Sequence, residues 1–193
     1  MKSSLAAISF FTLTLCLVCF FASKDLAPIV EYKSKAILVK PDIKQRWENE
    51  LINQVKMFEN FKSRPYRCPA GVLTVGYGHT GKFASSTLTE QAAEDLLKEE
   101  LENYRAIVRR NVKVPLTEYQ TCALVSFTYN CGEGNLRRLI NGNSRLNSGN
   151  YKSINKLMPL YSKAKGKTLN GLIKRRMLEV SMWNGESLND KSA

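Results

Sequence analysis

ENFKSRPYRCPAGVLTVGYGHTG, residues 59–81, strings a carboxyl, a thiol and a hydroxyl along one short run: Glu59, eight residues, Cys68, five residues, Thr74. The run turns through Pro65, Pro69 and Gly71, extends from Val72 to Val75, and closes on Gly76, Gly78 and Gly81. β-branched residues bounded by Gly and Pro favour a strand with tight turns, so a short β-hairpin is expected. Upstream, Trp47, Leu51, Val55 and Phe58 are spaced four, four and three apart. That period gives a helix from Gln45 one apolar face and leaves Glu59 at its end.

Downstream of a loop at 82–88, Thr89 opens EQAAEDLLKEELENYRAIVRRNV, an amphipathic helix with acids early and Arg109 and Arg110 late, as the helix dipole favours. Pro115 then breaks the chain. Thr117 and Gln120 form a Thr-x-x-Gln capping box before an apolar helix through Ala123, Leu124, Phe127 and Tyr129, which stops at Gly132. Further helices are expected near 134–141, 150–164 with a bend at Pro159, and 168–183. The fold class is α+β, helix-dominated, with a small hairpin lobe beside a helical lobe.

The N-terminus differs in character. Leu5 to Ser23 is 19 uncharged residues, about 28 Å as a helix and close to the ~30 Å hydrocarbon core. A cleavable signal wants small residues at −3 and −1, but Phe20 or Phe21 falls at −3. Leu15 and Val18, before the two cysteines, do not fit a lipoprotein site. An uncleaved apolar helix with its N-terminus inside is the expectation, followed by an aperiodic tether over 24–45 punctuated by Pro28 and Pro41.

Of 193 residues, 44% are hydrophobic and 24% charged, as in ordinary globular proteins, but the net charge is +12. Without residues 1–23, whose one charge is Lys2, the excess is still +11. Such a domain is drawn to a polyanion: nucleic acid, an anionic membrane face or an acidic wall polymer. One histidine and five cysteines without paired Cys-x-x-Cys motifs make no zinc pattern, and no metal or cofactor is expected. Gly76-Tyr-Gly-His-Thr-Gly81 formally matches Gly-x-Gly-x-x-Gly. A dinucleotide fingerprint, however, opens a helix within a βαβ unit, and here a loop follows.

Taken singly, Glu59 reads as an exposed helix-end acid, Cys68 as a small buried hydrophobe and Thr74 as a strand residue. Together, with Val75-Gly-Tyr-Gly-His-Thr-Gly81 after them, they resemble the phage-type lysozymes, glycoside hydrolase family 24. The resemblance runs from about residue 46 to 184 and includes Val114-Pro-Leu-Thr117, Ala123-Leu-Val-Ser-Phe-Thr-Tyr-Asn130, Gly132-Glu-Gly134 and Gly171-Leu-Ile-Lys-Arg-Arg176. It implies a lysozyme domain over 46–193 and an endolysin, a muramidase hydrolysing the β-1,4 bond between N-acetylmuramic acid and N-acetylglucosamine with inversion. Carried over, Glu59 is the general acid, which the neighbouring Phe58 and Phe61 would desolvate and so keep protonated. Thr74 helps place the attacking water, and Cys68 stands where most members have Asp and some tethered members have Cys. His79 is expected to be structural, with its hydrogen bond satisfied, and Thr80 and Tyr129 to line the sugar groove. The implied partners are peptidoglycan and, through the N-terminal segment, an anionic membrane surface, with no nucleic acid and a monomeric enzyme.

Cys68 is the informative departure. A thiol titrates near ~8.5 and is a poorer base at neutral pH than a carboxylate, but it responds to redox state. Some tethered relatives cage this cysteine with another two residues after the acid, where this chain has Phe61. Cys122 and Cys131 would lie ~13 Å apart along one helix, too far to pair, leaving Cys16, Cys19 or another chain as partners of Cys68. The resemblance further implies signal-arrest-release: residues 1–23 hold the enzyme on the host cytoplasmic membrane until it is released to the periplasm. Two rivals stay open, a non-cutting peptidoglycan-binding module and a lytic transglycosylase.

Overall fold

The computed structural model describes residues 41–68, 71–164 and 166–187; the expected anchor at 1–23 and most of the tether lie outside them. Helix α1 (Pro41–Glu59) is followed by strands β1 (Lys62–Arg67) and β2 (Leu73–Gly76), then α2 (Glu90–Asn111), α3 (Glu118–Cys131) and α4 (Glu133–Ile140). A short α5 (Ser153–Leu157) runs into a 3-10 turn (Met158–Tyr161), a second two-stranded hairpin, β3 (Lys163–Ala164) and β4 (Lys167–Thr168), and α6 (Asn170–Trp183). No described helix is long and apolar enough to cross a membrane.

The expected α+β, helix-dominated fold is what the chain adopts, with differences of local cause. Helix α1 begins at Pro41, so residues 41–45 of the expected tether are helical. Proline is at home at a first helical position, where no N–H is needed, and Asp42 adds an acid in the first turn. The long helix expected over 150–164 is instead α5 and the 3-10 turn, because Pro159 has no N–H for an α-helical bond and crowds the preceding turn. The second hairpin was not expected: all four of its paired residues are exposed, so no alternation of apolar and polar residues announces it.

Helix α3 is the centre of the core. Residues 122–128 are all buried, and the helix packs on α6, α2 and α1. Against it lie Trp47, Leu51 and Val55 of α1, and Leu97, Leu101 and Val108 of α2. A helix enclosed on all sides shows no apolar stripe; the signal that placed α3 was its N-terminus. Thr117 Oγ1 accepts from the Gln120 N–H while the Gln120 side chain accepts from the Thr117 N–H. Helix α1 presents its buried face to this core and delivers its last residue to the hairpin.

Candidate active site

Strands β1 and β2 pair antiparallel with Tyr66 opposite Thr74 and Arg67 opposite Leu73. The ladder continues to the Cys68 N–H, which donates to the Val72 carbonyl at 3.0 Å. Counting by twos from the Tyr66–Thr74 pair puts Cys68 and Thr74 on one face of the hairpin, as diagonal neighbours whose α-carbons are typically ~7–8 Å apart. Thr74 is buried, and its hydroxyl donates to the Val72 carbonyl at 3.0 Å. With that hydrogen committed, its oxygen is left to accept.

Glu59 closes α1 and retains 25% of its side-chain exposure. Its Oε1 accepts from Arg175 Nη1 of α6 at 2.6 Å. Arg175 is almost wholly buried, with its guanidinium 5.3 Å from the centre of the Phe58 ring, so ring stacking and charge pairing hold it in one place. The surroundings of Glu59 are therefore not the apolar box expected from Phe58 and Phe61. The Phe58 ring carries a cation, and Phe61 packs on Tyr77, centroids 5.6 Å apart. Behind Arg175, the fully buried Glu179 is held by Arg176 at 2.8 Å and by the Ser126 hydroxyl at 2.9 Å.

The glycine run forms the turn that faces the acid. Val75 and His79 exchange both backbone hydrogen bonds at 2.9 Å around Gly76-Tyr-Gly78, and no helix follows, as expected for a run that is no dinucleotide site. Gly78 has φ +97°, and a Cβ there would stand 3.5 Å from Tyr129 Oη and 3.7 Å from Glu59 Oε2. The bare backbone thus lies beside Oε2, the Glu59 oxygen that Arg175 does not hold.

Tyr129, on α3, donates its hydroxyl to the Tyr77 carbonyl at 2.8 Å and ties the turn to the helical lobe. Burial pushes its phenol far up, and the charges of Glu100 and Glu59 push it further. Tyr104, edge-on to it at 5.1 Å, is raised by burial and then by the same two acids. His79 Nδ1 meets Glu100 Oε1 at 2.8 Å, while its Nε2 is buried with no hydrogen-bond partner among the described residues. Tyr66 is raised by burial, then by the charges of Glu59 and Cys68. Thr80 stands apart: it is exposed, and no hydrogen bond among the described residues joins it to these groups.

Arg175, Glu100, Tyr66 and Tyr104 were not singled out from the sequence as site residues. No local signal marked Arg175, since Arg175 and Arg176 with Glu179 four and three residues on have the spacing of ordinary exposed helical ion pairs. No disulfide joins Cys68, Cys122 and Cys131. Burial pushes Cys122 up to about 12, against the pull of Arg105. No group of three or more His, Cys, Asp or Glu among the described residues could hold a metal.

A helix-end acid clamped by a buried arginine thus faces the glycine turn that follows a small β-hairpin. The family described as phage lysozyme matches residues 56–179. The endolysin of Bacillus phage B103 is 35% identical over 145 residues, 72% of this chain and 54% of that protein, so the chain spans about half that relative's length. The SAR-endolysin of Escherichia phage Mu is 36% identical over 135 residues, 68% of this chain and 77% of that protein. The muramidase domain of SpmX from Asticaccaulis excentricus superposes with a TM-score of 0.60 at 28% identity, over 69% of this chain and 93% of that one. The chain belongs to the phage lysozyme family.

Proposed function

We propose that the chain is an endolysin that cuts the β-1,4 bond between N-acetylmuramic acid and N-acetylglucosamine in peptidoglycan by an inverting mechanism. The observation that carries this is Glu59 held by Arg175 at 2.6 Å with its other oxygen against Gly78. Glu59 Oε2 gives its proton to the glycosidic oxygen as the bond to the anomeric carbon breaks. The Arg175 guanidinium balances the charge left behind. Water attacks the anomeric carbon from the opposite face, held by Thr74 Oγ1, and loses its proton toward Cys68, whose thiolate is the form able to take it. Solvent then returns a proton to Glu59 and takes one from Cys68, and both groups regain their starting states.

The apolar run 5–23 and the name of the phage Mu relative support the wider cycle. Residues 1–23 hold the enzyme on the host cytoplasmic membrane with the N-terminus inside, 24–40 tether it, and release to the periplasm brings a monomeric enzyme to the wall. The test is Glu59→Gln. It should abolish clearing of purified cell walls while binding to them persists, and the products of the native enzyme should carry the added water. Undiminished clearing by the variant, or products that are anhydro sugars, would overturn the assignment.

A further inference from the structure

Residues 151–178 carry six lysines and the Arg175–Arg176 pair, and not one acidic residue. The same segment bears an apolar stripe that the catalytic proposal leaves unused. Leu169, Ile173 and Met177 stand four residues apart at the start of and along α6, a line about 12 Å long. They are 44%, 37% and 63% exposed, and Leu160, from the 3-10 turn that packs on α6, is 67% exposed. Pro159 and Met177 line one shallow groove, so the turn and the helix form a continuous surface. The opposite side of α6 supplies Arg175, Arg176, Glu179, Met182 and Trp183 to the interior, so the stripe is that helix's outward face.

We propose that this face, with the β3–β4 hairpin beside it, docks the lysozyme domain on an anionic lipid bilayer. Lys163, Lys167 and Lys174 are exposed at its rim, and Glu186 is the one acid lining the groove that adjoins it. A hydrated anionic polymer would be matched by lysines alone and would gain nothing from four large exposed apolar side chains. A bilayer interface takes both: apolar groups enter the acyl boundary while the lysine stems reach back to the headgroups. Leu160 and Met177, the most exposed of the four, are the side chains that would enter deepest. The proposal does not rest on the roles given to Glu59, Cys68 or Thr74, and it concerns a surface distinct from the N-terminal apolar run.

The experiment uses the full chain carrying Leu160→Trp as a local reporter; Trp47 and Trp183 are buried and contribute a background that lipid does not reach. Vesicles with brominated acyl chains are made of phosphatidylglycerol or of phosphatidylcholine. The N-terminal segment is the same in every variant, so the introduced tryptophan reads the face and not the anchor. Its emission should shift to the blue and be quenched on phosphatidylglycerol, and scarcely change on phosphatidylcholine. Lys163→Glu with Lys167→Glu and Lys174→Glu should raise the anionic lipid needed for half quenching on the order of a hundredfold. Ile173→Ser with Met177→Ser should abolish the blue shift. Quenching absent from both vesicles, equal on both, or unchanged in the lysine variant would refute the proposal. So would an emission shift produced by purified peptidoglycan and not by lipid.

Discussion

Arg175→Met removes the guanidinium between two carboxylates while keeping much of the bulk that rests on Phe58. In the native chain Arg175 meets Glu59 at 2.6 Å and Glu179 at 3.4 Å. Stranding a fully buried charge costs ~3–5 kcal/mol. Here Glu179 keeps Arg176 and Ser126, and Glu59, a quarter exposed, recovers part of its hydration. The loss should therefore fall at the lower end, about 3 kcal/mol, or roughly 6–12 °C in Tm for a domain of this size. Thermal unfolding of the full chain, followed by circular dichroism, measures it. Arg175→Lys should recover only part, because an ammonium cannot reproduce the fork over the ring. The decisive comparison is a cycle with Glu59→Gln. If the pair is coupled, the double variant loses about 1 kcal/mol or more less than the two single losses added together. Additivity within ~0.5 kcal/mol would show that the contact does not stabilise the fold, and the account of Arg175 as the clamp of the acid would fail.

Gly78→Ala forces a side chain into φ +97° beside Glu59 and Tyr129; it should cost about 1–2 kcal/mol in thermal unfolding and lower the rate of wall clearing, and an unaffected rate would separate the turn from the chemistry. Cys68→Asp should be at least as active as the native chain, whereas Cys68→Ala should lose ~10²–10⁴-fold in the rate of reducing-end release; a fully active alanine variant would remove Cys68 from the mechanism. Arg110, with Asn111 and Arg137, holds the Glu133 carboxyl down from 4.5 to about 2. A depressed carboxylate stabilises the fold above its unfolded value and loses that contribution as pH falls through the folded one. Glu133→Gln should thus lower Tm at pH 7, by an amount that shrinks steadily below pH 4.5 and vanishes near 2; a gap that persists at the acid end would contradict the pairing.

Elements whose cause is local were legible in the chain. The four-four-three spacing of Trp47, Leu51, Val55 and Phe58 located α1, the capping box located α3, and Pro and Gly around Val72–Val75 located the first hairpin. Its diagonal Cys68–Thr74 placement needed the strand register as well, the Tyr66–Thr74 pairing that fixes which residues share a face. The errors are equally local in origin: Pro159 ended a helix that periodicity carried through it, and the second hairpin has no buried side to betray it. Beyond that, the apolar box imagined around Glu59 failed because two flanking phenylalanines say nothing about what packs on them. What holds Tyr129 was equally out of reach, since its hydroxyl is engaged with the Tyr77 carbonyl, 52 residues away.

By itself, then, the sequence determined the helices, the first hairpin and the helix-end position of the acid, because periodicity, capping and turn chemistry act over a few residues. Only the tertiary structure decided what Glu59 touches. Its partner Arg175 lies 116 residues along the chain, and which of twenty-nine cations would meet it depended on how α6 packs across α3. A charge pair in the interior is specified by the fold that excludes water around it, and no spacing along the chain encodes that.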